Sequence, residues 1–277
     1  MLPVDAVTGT APLIGDARLV SCVAAVGGVD GENVLELGPL EGAHLLTLRR
    51  DLGASNVVAI EANAGAFLRC LITKELMHLD GVEFRFGDCR PYLDSTTDRV
   101  DLAVAIGVLY HLDDPVPVLE NLARVSDRIV IWSHVYNTEF DVHRLAGRFD
   151  PPVDRWLGDT SYRLHPYRYE ESLEWSGFCG GTRPTAAWIE RDDLISVVTS
   201  LGFEIALRDD HDHLGTATLR PARRGNRRPP DTGPYLAPDI RPRREDFPRV
   251  VKGMSHSGRH NVPCQVGFAN SPVGRGG

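Results

Sequence analysis

Between residues 32 and 134, short apolar runs alternate with stretches of helical period, and this alternation restricts the chain more than any other feature. "NVLELG", "NVVAIE", "VEFRFGD", "RVDLAVAIG" and "DRIVIWSHVY" read as strands. "AHLLTLRRDLG", "NAGAFLRCLITKELMHLDG" and "DDPVPVLENLARV" read as the helices between them, with Asn63 and Asp114 as N-caps. The second of these places Phe67, Leu68, Leu71, Ile72 and Leu76 on one face, which predicts a core-facing stripe. Strands joined by helices of this length need crossover connections, hence a parallel sheet covered on both faces. "RDDLISVVTSLG" then continues the helical pattern, and "FEIALRDD" with "TATLRPA" reads as a terminal antiparallel hairpin. The expected fold is α/β: a Rossmann-like, doubly wound, mostly parallel seven-stranded sheet that ends in a hairpin.

Five segments follow from these patterns. Residues 1–30 form an N-terminal helical segment, 31–134 a Rossmann-like core, and 189–220 the C-terminal part of that core. Residues 135–188 break the rhythm yet hold four of the seven tyrosines and three of the four tryptophans, which points to a lid or substrate insertion or to a secondary core. Residues 221–277 carry 9 of the 19 prolines and no apolar period, the composition of a disordered tail. That tail has a balance of +7, against −15 for the body before it. The acidic body disfavours a phosphate backbone as partner, whereas the tail alone has the charge of a nucleic-acid-binding arm.

No leader pattern or membrane span is read from the sequence, and the five scattered cysteines lack CxxC spacing, so reduced thiols and a cytoplasmic location are expected. "DDHDH", Asp209 to His213, has metal-ligand residue types but reads as a solvated turn, and no metal is expected.

Function is expected where the strands end, because open parallel sheets bind ligands there. "VLELGPLEG" places Glu36 at the end of the first strand, Gly38 in the turn and Gly42 at the start of the next helix. Gly38 permits a tight turn with a ligand against the backbone, and Gly42 opens onto free helical N–H groups. An acidic loop of this kind repels a pyrophosphate and tolerates a cation, which matches the zwitterion S-adenosylmethionine (SAM). Glu61, closing the second strand, has the position and chemistry to accept both hydroxyls of a ribose. Asp88, followed by Cys89, stands where an adenine amino group is received, or is a turn aspartate. The fourth strand runs out through Gly107, Tyr110 and His111 at the level of the methyl group.

In their order these motifs resemble those of class I SAM-dependent methyltransferases over about residues 30 to 220, with proline and leucine replacing part of the usual glycine run. "AIEAN" is similar to the ribose motif, "GDC" to the adenine motif and "DLAVAIGVLYHLDDP" to the fourth motif. The wording "GVLYH" resembles that of tRNA wobble-uridine carboxymethyltransferases. The resemblance implies SAM bound by Glu36, Gly38, Gly42, Glu61, Asp88, Cys89 and Gly107.

Methyl transfer is an in-line displacement that needs alignment first and a base only when the acceptor atom must lose a proton. His111 and His134 are candidate bases, His111 alternatively a pocket-shaping group, and Tyr110 a residue that packs against the cofactor. Arg163, Trp175 and Arg183 are the candidate acceptor contacts, Trp175 by stacking and the arginines by binding an acidic group. The expected function is methylation of a small molecule. The alternatives are an RNA-modifying (carboxy)methyltransferase and a non-catalytic SAM-fold subunit.

Overall fold

The computed structural model of the chain describes residues 14–136, 147–170, 178, 180–181, 183–211 and 214–221. Five parallel strands, β1 (Asn33–Leu37), β2 (Asn56–Glu61), β3 (Val82–Phe86), β4 (Leu102–Ile106) and β5 (Ile129–His134), form the main sheet. They are completed by a hairpin numbered, after three intervening strands, β9 (Phe203–His211) and β10 (Leu214–Pro221). β10 runs antiparallel to β5, and the spatial order is β3-β2-β1-β4-β5-β10-β9. The seven-stranded, doubly wound sheet with a terminal hairpin is thus the one expected. Chain order reverses between β1 and β4, so the crevice at their carboxyl ends is the switch point at which such sheets bind ligands.

Both faces of the sheet are buried, and alternate residues divide between two cores. Leu35, Leu37, Ala103, Ala105, Ile129 and Ile131 face one, and Val34, Leu102, Val104, Ile106 and Val130 face the other. Helix α1 (Ala17–Ala25) and α2 (Ala43–Leu46, continued by a π-helical turn, Thr47–Asp51) contribute Leu19, Cys22, Val23, Leu45 and Leu48 to the second core. α4 (Cys89–Ser95), α5 (Val116–Val125) and α6 (Arg191–Ser200) pack on the first. Asp114 accepts from the N–H of Val116 at 2.9 Å, although the N-cap position of α5 falls one residue later than expected, on Pro115.

Helix α3 (Ala64–Met77), capped by Asn63 through the Ala66 N–H at 3.0 Å, lies the other way round from the predicted stripe. Its buried residues are Ala66, Cys70 and Thr73, while Leu68, Leu71 and Ile72 are 59%, 41% and 51% exposed. Small residues win this face because the helix must come close to the loop after β1. Thr73 donates to the carbonyl of Glu41 at 2.8 Å, and the Cys70 thiol lies 3.4 Å from that of Leu40. Replacing Leu71 or Ile72 by glutamine is therefore expected to change stability by no more than about 0.5 kcal/mol. Thermal melts of the two variants check this, and a loss of 2 kcal/mol, roughly that of a core residue, would contradict it.

The aromatic-rich insertion contains regular structure that the sequence reading did not anticipate. β6 (Val153–Leu157), β7 (Thr160–Arg168) and β8 (Thr185–Ile189) form a second, antiparallel sheet. It is tied to the main domain near the ends of β4 and β5. The N–H of Ala187 donates to Leu112 at 2.7 Å, that of Tyr136 to Ile189 at 2.8 Å, and the Tyr162 hydroxyl to Asp114 at 2.9 Å. Among the described residues, no helix is long and apolar enough to cross a membrane. The tail expected to be disordered and the side chains of Asp209–His213 lie outside what is described.

Candidate active site

The crevice at the switch point is built first by backbone geometry. Gly38 adopts φ +63°, and a Cβ there would lie 2.8 Å from the Val108 side chain, so the loops after β1 and β4 touch only because this residue has none. Gly42 and Gly107 also have positive φ, at the start of α2 and the exit of β4. The loop carrying Gly38 is held by Glu61. One carboxylate oxygen of Glu61 accepts from the N–H of Leu40 at 3.0 Å and the other from the N–H of Asn63 at 2.8 Å. Glu61 is 4% exposed, and this burial lifts its pKa to about 7 against the pull of those N–H groups. Two backbone donors leave about two of the roughly four acceptor positions of a carboxylate for a ligand diol.

Glu36 occupies the neighbouring strand end and is almost fully buried. Its Oε1 lies 3.0 Å from Nδ1 of His44, while its Oε2 has no hydrogen-bond partner among the described residues. The other ring nitrogen of His44 is 3.2 Å from Asp16, the N-cap of α1, which is itself paired with Arg18. Burial disfavours the charged imidazole, but the two carboxylates outweigh it and raise the pKa of His44 to about 9. Asp16 is held well below the usual carboxylate range, since its bonds to His44 and Arg18 overcome its burial.

Beyond the end of β3, Asp88 is the N-cap of α4. It accepts from the N–H of Arg90 at 2.9 Å and from its guanidinium at 3.0 Å, which lowers its pKa. Its carboxylate is thus engaged within the chain, in the turn position that was the other reading of this residue. Burial pushes the Cys89 thiol up to about 12, so it packs and does not react as a nucleophile. Arg90 is 3.7 Å from Asp113, which also pairs with Arg183.

The ends of β4 and β5 carry an aromatic cluster. Tyr110, in a short 3-10 turn (Leu109–His111), lies 4.2 Å from the ring of His111 and 4.4 Å from that of His134, measured between centroids. Trp188 of β8 stacks on His134 at 5.1 Å and 9°, and its buried indole N–H has no partner among the described residues. Burial pushes the Tyr110 hydroxyl up to about 12 and, helped by His134, drives His111 down to about 3. His111 is bonded to the hydroxyl of Tyr169 from the insertion. A Cβ on Gly180 would lie 2.7 Å from Nδ1 of His111, and the carbonyl of Phe178 accepts from the Asn63 side chain at 3.2 Å. The insertion therefore reaches over the ends of both β2 and β4.

Of the expected acceptor contacts, Arg183 is at this edge through Asp113. Arg163 is not brought there: it lies on the exposed side of β7, bonded to Asp154 at 2.8 Å, because alternation in the strand turns Tyr162 and Leu164 inward instead. Trp175 and Cys179 lie outside the described residues. Sequence reasoning missed Asp16, His44, Asn63, Tyr169 and Trp188. His44 stands two positions after Gly42 and had a local signal, whereas the other contacts join residues far apart in the chain.

Residues 35–128 match a family model described as a methyltransferase domain. A search of the curated proteins gives no match. Among solved structures, the N-terminal domain of EvdMO1 in the presence of SAH and D-fucose aligns with a TM-score of 0.56 at 23% identity, over 74% of this chain and 82% of that one. The same domain with SAH bound aligns with a TM-score of 0.56 at 22% identity, over 76% and 83%. CcbJ methyltransferase from Streptomyces caelestis is similar at 19% identity over 78% and 92%, with a TM-score of 0.49. Residues 35–128 thus carry the sequence pattern of a methyltransferase domain, on a sheet that presents acidic strand ends at its switch point.

Proposed function

We propose that the protein transfers the methyl group of SAM to a small-molecule acceptor seated against the aromatic cluster at the ends of β4 and β5. The observation that carries this reading is that cluster itself: Tyr110, His134 and Trp188, closed over by Tyr169 and Gly180 of the insertion. The residues present fit the cofactor, since Glu36 keeps a buried, unpartnered oxygen and Glu61 retains acceptor positions toward the crevice. Bound there, the cofactor supplies a methyl group on a sulfonium, already activated for in-line displacement.

The chain then has three tasks. Glu61 and Glu36 hold the ribose hydroxyls and the ammonium group, while the glycine turn at Gly38 admits the ligand against the backbone. Tyr110, His134 and the insertion exclude water and set the line of approach. Where the acceptor atom carries a proton, a base must remove it. His111, with its pKa driven down to about 3, is a poor proton acceptor, so His134 is the better placed of the two. The unpartnered N–H of Trp188 is suited to an oxygen on the acceptor. A small molecule, and not nucleic acid, fits the −15 balance of the body. Buried thiols such as Cys70 and Cys89 fit a reducing, cytoplasmic setting.

A second reading, an RNA-modifying enzyme that uses the carboxylated relative of SAM, is favoured by "GVLYH" and by Arg18, whose guanidinium lies 4.4 Å over the ring of Trp132. Calorimetric titration with S-adenosylhomocysteine (SAH) and with the carboxylated cofactor separates the two. Saturable binding of SAH, equal to or tighter than that of the carboxylated form, is expected. Preference for the carboxylated form would overturn the first reading in favour of the second, and binding of neither would remove both.

A further inference from the structure

The buried chain Asp16–His44–Glu36 links α1 to the first strand end, and nothing in the motif at Val34–Gly42 requires it. Both ring nitrogens of His44 are used, at 3.0 Å to Glu36 and 3.2 Å to Asp16, in a residue only 5% exposed. A second tie, from the N–H of Gly15 to the hydroxyl of Thr47 at 2.8 Å, holds the start of α1 to the continuation of α2. The histidine takes Oε1 of Glu36 and leaves Oε2, buried at the ligand end of β1, as an acceptor without a partner among the described residues. A buried acceptor left open in this way costs free energy until a donor arrives. An ammonium brings three donors and the opposite charge.

We propose that His44 is a positioning residue for the amino-acid end of the cofactor: by holding one oxygen of Glu36 it aims the other at the ammonium group, while Asp16 steadies the far side of the ring from the N-terminus of α1. The proposal rests on the reading of SAM as cofactor and goes beyond it in assigning the role to His44 and Asp16. The charge arithmetic supports it. The charged groups facing His44 are Asp16 and Arg18 from α1 and Glu36 from β1, with Glu61 close enough to interact with Glu36. With His44 as imidazolium and Arg18 paired to Asp16, this group is neutral overall. The open oxygen then belongs to a carboxylate that is oriented but still attractive to a cation.

The test compares SAH with 5′-methylthioadenosine, which shares the adenosine and lacks the amino-acid end, by calorimetry on the full chain. His44→Asn keeps a donor near the place of Nδ1 and so serves Glu36, whereas His44→Gln keeps one near the place of Nε2 and serves Asp16. Expected is a loss of about tenfold in SAH affinity for His44→Gln, at most about threefold for His44→Asn, and unchanged 5′-methylthioadenosine binding in both. Equal losses of the two ligands, or equal losses of SAH in the two variants, would show that His44 serves only folding and would overturn the proposal. If His44→Gln does not fold, Glu36→Gln reads the same selectivity, with SAH weakened and 5′-methylthioadenosine retained; loss of both would again overturn it. Wild-type protein that binds neither ligand would overturn the cofactor reading itself, a result distinct from these.

Discussion

Glu61→Ala is expected to weaken SAH binding by about 1–3 kcal/mol from lost charged hydrogen bonds alone, and by more once the loop it holds is counted. The carboxylate does two things at once. In the proposed site it offers acceptors to a ribose, and it collects the N–H groups of Leu40 and Asn63. Leu40 has φ +58°, a strained conformation for a leucine, and the bond to Glu61 helps keep it there. Alanine removes both roles, so the Gly38–Gly42 loop is released as the ribose contact disappears. The unliganded protein gains something in exchange, because burial has raised the pKa of Glu61 to about 7 and its charged form is costly there. The expected pattern is therefore a large loss of ligand affinity with little loss of thermal stability in the absence of ligand. Calorimetry and melting curves on one variant check both halves, and unchanged affinity would remove Glu61 from the cofactor site.

The second large effect is on stability in alkali. His44 has a pKa of about 9 in the folded chain against an ordinary value of 6.5. The folded protein thus holds a proton that the unfolded chain releases between those values. The stabilisation is complete below about pH 6.5 and is lost as pH rises through 9. A displacement of this size corresponds to about 3 kcal/mol at full extent. Asp16 works at the other end of the scale, since its lowered pKa stabilises the fold above the usual carboxylate range and the benefit is lost in acid. Melting temperatures measured from pH 6 to pH 10 are expected to fall in the upper half of that range, and His44→Asn to flatten the fall. A wild-type profile with no decline up to pH 10 would show that His44 is not held as an imidazolium.

The sheet was readable from the sequence because its evidence is local. Apolar strands, helical periods between them and turn glycines after them each span fewer than about twenty residues, and they constrain topology through the rule that parallel neighbours need crossovers. The strand-end residues Glu36, Gly38, Glu61 and Gly107 followed from the same logic, for the end of a strand in a parallel sheet is already the end that faces the ligand. The α3 stripe failed for an equally local reason. Period identifies a face but not its destination, and the close approach to the loop at Leu40 and Glu41 selected Ala66, Cys70 and Thr73 over Leu68, Leu71 and Ile72.

By itself, then, the sequence determined the α/β class, the doubly wound sheet with its terminal hairpin, and which residues stand at the carboxyl ends of the strands. Tertiary structure alone decided how those ends are finished. It brought Asp16 to His44, 28 positions away, and Tyr169 to His111, 58 positions away. It also made a three-stranded sheet of an insertion that shows no clear period, because β7 and β8 bury one side against α6 and the turn after β4 while exposing residues such as Arg163 on the other. Contacts of this range depend on how separate elements pack, and packing is a property of the assembled surfaces, not of any stretch of residues that forms them.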